Sequence, residues 1–233
     1  MKYIIEFYAL SESGKVRAEN QDRIFISKSA LMEKNQSGKN IHFAVFDGMG
    51  GEQCGEVASQ IAADTLQQYE NSDIELDELC MLINQKICTY MTENSISRMG
   101  TTAAIIRVSN AEMTVCNIGD SRIYRINSDK ISKISVDHTM QVGRMKPRRV
   151  LTQHLGIPEE EFYIEPYVNS FEYHEGDKFL LCSDGLTDMV SENQIYEIVS
   201  LNGPKAAGEA LYKLAMQNGG RDNISIIICE VKS

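Results

Sequence analysis

Short runs of β-branched or alternating residues recur along this chain at 3–8, 23–27, 41–46, 103–108, 112–118, 122–126, 178–182 and 224–230. Several are parted by turn residues such as Asn110 or Asn127-Ser128-Asp129, and such close spacing favours antiparallel pairing. Between them Leu76, Leu79, Cys80, Ile83, Ile87, Tyr90 and Met91 return at three- and four-residue steps, the apolar stripe of a helix. Further helices are expected from near Glu52 through Leu66, from Ser191, where Gln194 completes a capping box, and over Ala206 to Met216. Strand clusters interleaved with helices that cover sheet faces predict a layered α+β fold. No Pro-rich linker, low-complexity tract or fixed-period repeat divides residues 1–233, so one domain is expected.

A formal charge of −10 argues against nucleic acid and anionic membrane surfaces as partners. The run Tyr3-Ile4-Ile5-Glu6-Phe7-Tyr8 is too short for a membrane span or signal core. Cysteines 54, 80, 88, 116, 182 and 229 are scattered, without the spacing of a disulfide scaffold or of paired zinc ligands. Reduced thiols and a cytoplasmic location are the simplest expectation.

The chemistry-bearing residues are aspartates at strand ends. Asp47 and Asp184 each follow a strand and precede glycine, Asp222 stands just before the last strand, Asp120 lies between two strands, and Asp22 precedes the second. Any single Asp beside Gly usually closes a turn through its own backbone. Five converging acids would instead repel one another unless cations neutralised them, and hard oxygen ligands suit Mg²⁺ or Mn²⁺.

The ordered motifs Glu19-Asn20-Gln21-Asp22, Phe46-Asp47-Gly48-Met49-Gly50-Gly51, Gly100-Thr101-Thr102, Asn117-Ile118-Gly119-Asp120-Ser121-Arg122, Ser183-Asp184-Gly185-Leu186-Thr187-Asp188 and Gly219-Gly220-Arg221-Asp222-Asn223 make the chain resemble the bacterial type 2C metal-dependent protein phosphatases. The resemblance runs from about Gly14 to about Glu230. It implies a four-layer α-β-β-α sandwich, two antiparallel sheets flanked by helix pairs, with the metal site at one edge. It also implies a serine/threonine phosphatase in which a water bridging two Mn²⁺ or Mg²⁺ ions attacks phosphorus in line. Carried over by residue, Asp47 bridges the metals, the Gly48 carbonyl serves the first, Asp184 and Asp222 serve the second, and Asp22 acts through bound water. Arg17 matches the phosphate-binding arginine, whose planar fork grips two oxygens. Asp120, with Asp184, is nominated for a weaker third cation; the alternative is a turn residue or a partner for Arg122. Phosphorylated proteins and a cognate Ser/Thr kinase are the implied partners, and a monomer is expected.

The sequence departs from the family's pattern in two places. Met49 stands where animal members carry a histidine, and Glu52 where many bacterial ones do, so none of His42, His138, His154 and His174 is assigned to the site. Only eleven residues separate His138 from Val150, so the flap common in bacterial members is expected to be abbreviated around 138–150. Arg144, Lys146, Arg148 and Arg149 make that segment basic, either a docking patch for phosphoproteins or a solvated loop.

Rival readings are weaker. Cys116 to Arg122 fits the C-x-x-G-x-x-R spacing of thiolate phosphatases, but Ile123-Tyr124-Arg125-Ile126 alternates like a strand where that chemistry needs a helix N-terminus. Glycines 48, 50, 51 and 55 miss the dinucleotide fingerprint. The remaining alternative is a catalytically weak or silent module that keeps the fold to bind a phosphoprotein or signalling partner.

Overall fold

Alternation along the strands assigns each side chain to a layer. In β3 (Ile41–Phe46), Phe43 and Val45 enter one apolar cluster while Ala44 and Phe46 enter another, so both faces of the strand are covered. The same holds at β14 (Ile224–Lys232), where Ile227 and Cys229 face the first cluster and Ile226 and Ile228 a third. This explains an almost unbroken apolar run in a strand. The structure is a computed structural model that describes residues 3–31, 40–49, 54–109, 112–143 and 148–233.

The first sheet contains β1 (Ile4–Glu12), β14, β13 (Lys178–Cys182), β8 (Arg122–Ile126) and β9 (Ile131–Lys133), in that order. The second contains β12 (Tyr167–Phe171), β7 (Met113–Ile118), β6 (Ala103–Val108), β3 and β2 (Arg23–Ile26). All their pairings are antiparallel. Helices α1 (Cys54–Tyr69) and α2 (Leu76–Glu93) cover the second sheet through Ala58, Leu66, Leu79 and Ile83. Helices α4 (Glu192–Leu201) and α5 (Pro204–Gln217) cover the first through Ile195, Val199 and Leu211. The expected α-β-β-α order is therefore present. The capping box at α4 is formed as well: Gln194 N–H donates to Ser191 Oγ at 3.4 Å and Ser191 N–H to Gln194 Oε1 at 3.1 Å.

Five elements beyond the sequence expectation matter for the site. The pair β4 (Gly48–Met49) and β5 (Gly100–Thr101) forms a short ladder, and a separate hairpin joins β10 (Thr139–Val142) to β11 (Arg148–Leu151). A single turn, α3 (Asp184–Thr187), follows β13. The hairpin occupies the segment where an abbreviated flap is expected; Arg144 and Lys146, like Asn110, Gly50, Gly51 and Glu52, lie outside the described residues.

Candidate active site

Strand register brings the acidic motifs to one edge of the sandwich. Arg23, first in β2, pairs with Phe46 at the end of β3, and Cys182 at the end of β13 pairs with Ile226 near the start of β14 and with Arg122 at the start of β8. Asp22, Asp47, Asp120, Asp184 and Asp222 therefore leave their strands on the same side. The threonines of Gly100-Thr101-Thr102 hold the Asp47 backbone: Thr102 N–H and Thr101 Oγ1 donate to the Asp47 carbonyl at 2.9 and 3.0 Å, and Asp47 N–H donates to Thr102 Oγ1 at 3.1 Å. Asn223 fastens the first loop to the last, accepting from Gln21 N–H at 2.9 Å and donating to the Glu19 carbonyl at 2.9 Å. A Cβ at Gly48 would stand 2.2 Å from the Gly55 carbonyl oxygen and 2.5 Å from that of Gln21. Only glycine lets β4 pass between α1 and the Asp22 loop.

A cavity of about 1350 Å³ opens at this edge, lined by Arg17, Asp47, Gly48, Asp120, Asp184 and Asp222 among others. Asp22 stands behind its wall, 2% exposed; its Oδ2 accepts from Ser225 Oγ at 2.7 Å, while Oδ1 has no hydrogen-bond partner among the described residues. Burial, with Asp222 nearby, pushes Asp22 up to about 6 against the pull of its serine partners. Asp47 lies well above the ordinary carboxylate range, first through burial and then through Asp22, Asp184, Asp120 and Asp222. Asp184 is pushed up to about 7 by burial and by Asp120, Asp188 and Asp222, with Arg149 acting in the opposite sense. The carboxylates thus share one electrostatic field.

Two arginines partly offset that field. Arg17 forks onto Asp222, its Nε and Nη2 lying 2.8 and 2.7 Å from the two carboxylate oxygens. Arg149 reaches inward from β11: Asp188 Oδ1 lies 3.0 Å from Nη2, Asp184 Oδ2 3.6 Å from Nη2, and Asp120 Oδ2 3.4 Å from Nε. Arg149 is therefore part of the cleft, a position that neither sequence reading of the basic segment anticipates. Its partner Asp188 caps α3 one helical turn after Asp184.

Of the alternatives at Asp120, the structure removes one. Arg122 pairs with Asp137, at 2.7 Å from Nη2, and not with Asp120. A histidine enters the cavity wall after all. The backbone bridge between Thr101 and Leu155 carries His154, 8% exposed, to the cleft, where burial lowers its pKa. That bridge joins segments distant in sequence, and no motif marks it. His138 Nδ1 accepts from Gly119 N–H at 3.1 Å and so supports the loop of Asp120. Cys116 is fully buried with its Sγ 3.6 Å from that of Cys80, and this contact, then burial, raise its pKa well above the usual thiol range, which argues against a thiolate nucleophile there.

Among the described residues no three potential ligands close into a ready-made metal cage. Mg²⁺ and Mn²⁺ sites do not need one, because such ions keep several waters and use one or two carboxylates. The unsatisfied Asp22 Oδ1, the mutual repulsion around Asp47 and an all-oxygen donor set fit such cations.

Similarity to known proteins agrees with this geometry. The catalytic domain of the serine/threonine protein phosphatase PstP, crystallised in complex with two manganese ions, superposes with a TM-score of 0.81 at 26% identity, covering 99% of this chain and 100% of that one. In sequence, Mycobacterium tuberculosis PstP is 29% identical over 98% of this chain, which spans 45% of that protein's length. The protein phosphatase PhpP of Streptococcus pneumoniae is 28% identical over 96% of both chains. The family profile for protein phosphatase 2C matches residues 15–208, most of the sequence, and with the acidic motifs gathered at one edge of the sandwich, the chain belongs to the protein phosphatase 2C family.

Proposed function

We propose that this protein is a Mn²⁺- or Mg²⁺-dependent serine/threonine protein phosphatase. The observation that carries this reading is the gathering of Asp47, Asp120, Asp184 and Asp222 on the wall of one cavity, with Asp22 buried behind it. When bound, two divalent cations supply a water that is nucleophilic near neutral pH and polarise the phosphoryl oxygens. Asp47, Asp184, Asp222 and the Gly48 carbonyl would hold them, with Asp22 acting through water and Asp120 serving a weaker third site. Arg17, at the cavity mouth, carries a fork matched to two phosphoryl oxygens, which Asp222 engages here and would release on binding a cation. Phosphoproteins made by a cognate Ser/Thr kinase are the substrates. Six free thiols suit a reducing cytoplasm.

Hydrolysis of p-nitrophenyl phosphate and of a phosphothreonine peptide, with Mn²⁺ and then with EDTA, tests the reading. Turnover that requires the metal and disappears in Asp47→Ala is expected. Phosphopeptide binding without metal-dependent turnover would favour the silent binding module instead.

A further inference from the structure

The hairpin that carries Arg149 is fastened at its base and loosely held elsewhere. His138 N–H donates to the Gly119 carbonyl at 2.9 Å, which joins the base to the loop of Asp120, and Thr152 N–H donates to the His138 carbonyl at 2.9 Å. Beyond that point β10 and β11 pair with each other as a two-stranded sheet of their own. Met140 and Val142 are 54% and 50% exposed and Val150 39%, so little apolar burial holds these strands against the sandwich. Register sets Gln141 opposite Arg149 and Thr139 opposite Leu151, and alternation turns that set away from the face of Met140 and Val150. Arg149 is thereby aimed at the cleft, on a strand that owes little of its position to packing.

We propose that Arg149 is a tethered cation standing in for the weak third metal ion, which loads only when the hairpin withdraws the guanidinium, an inference that rests on the metal-dependent reading of the cleft. Position carries it. Nε lies 3.4 Å from Asp120 Oδ2 and Nη2 3.6 Å from Asp184 Oδ2, so the guanidinium bridges the same two carboxylates that the ion would bridge. A divalent ion bound to those oxygens at about 2.1 Å would press against the guanidinium, cation on cation. The two occupants therefore exclude each other. Contact strength says which of them yields. Only Asp188 Oδ1, 3.0 Å from Nη2, lies at hydrogen-bond distance, and the contacts to Asp120 and Asp184 are longer than a good N–H···O bond. With 33% of the Arg149 side chain exposed, so loose a cluster adds little stability and is readily given up to a doubly charged competitor. The hairpin thus sets how much free cation the third site needs, and Arg149 is a positioning residue that acts through that ion.

The test titrates Mn²⁺ calorimetrically into the wild type, Arg149→Gln and Arg149→Lys, and follows hydrogen exchange in β10 and β11 by mass spectrometry along the same titration. Arg149→Gln should tighten the weakest Mn²⁺ event about tenfold while leaving the two tight ones within about twofold, with Arg149→Lys between. In the wild type, exchange in the two strands should quicken as that weak event fills. In Arg149→Gln it should be fast from the start and indifferent to Mn²⁺, and in Asp120→Ala, which lacks the third site, it should stay slow throughout. An unchanged weak Kd in Arg149→Gln would overturn the proposal. So would a tighter Kd with no Mn²⁺-dependent exchange in the wild type, because removing a nearby positive charge would then account for the gain. Two tight ions combined with either of these results overturn only the role of Arg149, whereas no Mn²⁺ uptake by any of the proteins overturns the metal-dependent reading and this inference with it.

Discussion

Replacing Asp184 by asparagine should stabilise the metal-free protein near pH 8 while doing little near pH 4. The carboxyl is raised from an ordinary 3.8 to about 7, chiefly by burial and then by Asp120, Asp188 and Asp222. Between those two values the folded chain keeps a proton that the unfolded chain has released, so stability falls as pH rises, at about 1.4 kcal/mol per unit. Above about pH 7 the loss levels off at a ceiling of about 4 kcal/mol. The Asp184 side chain is 28% exposed, and neighbouring carboxylates can take up protons when it ionises. About half the ceiling, ~2 kcal/mol, should therefore be recovered by the neutral amide, even though its contact with Arg149 weakens. For a chain of this size that is a rise in Tm of about 4–8 °C. The assay is thermal unfolding in EDTA from pH 4 to 8, with Mn²⁺ added in a parallel series. Mn²⁺ should reverse the order, because only the wild type keeps the full ligand set. Equal Tm values near pH 8, or a difference that does not grow from pH 4 to 8, would refute the reasoning.

Arg17→Lys should weaken inhibition by inorganic phosphate, because a point charge cannot replace the fork seen on Asp222; an unchanged inhibition constant would contradict the role. Asp120→Ala should fold normally and retain two tightly bound Mn²⁺ by calorimetry, yet lose most turnover and need more Mn²⁺ for the remainder; wild-type kinetics would remove Asp120 from the site. At Gly14, φ is +71° and a Cβ would stand 2.3 Å from the Asp222 carbonyl oxygen. Gly14→Ala should therefore cost about 1–3 kcal/mol in unfolding experiments and lower kcat/KM by displacing the Arg17 loop. Ile83→Ala, in the fully buried stripe between α2 and the second sheet, should cost about 2–5 kcal/mol in denaturant titrations with phosphate affinity unchanged.

By itself, the sequence determined the eight main strands, the four long helices and their order, because alternation and helical periodicity record which side of each element meets apolar neighbours. It also determined which residue types meet at the edge, since Asp47, Asp184 and Asp222 stand next to strand ends whose register follows from the pattern. The capping box at Ser191 was legible for the same reason: its bonds are local. What only the tertiary structure decided depends on contacts between distant segments. The exposed edge strand β12 and the β10–β11 hairpin carry little apolar alternation, so their pairing is settled by the neighbour each finds. Arg149 looks like any loop arginine until that hairpin turns its side chain onto Asp120, Asp184 and Asp188. His154 reaches the cleft through a backbone bridge to Thr101, and Asp22 lies behind the cavity wall because its partner, Ser225, is on the last strand. Local propensity is written in adjacent residues, whereas the field around a buried carboxylate is the sum over charges that only the folded chain brings together.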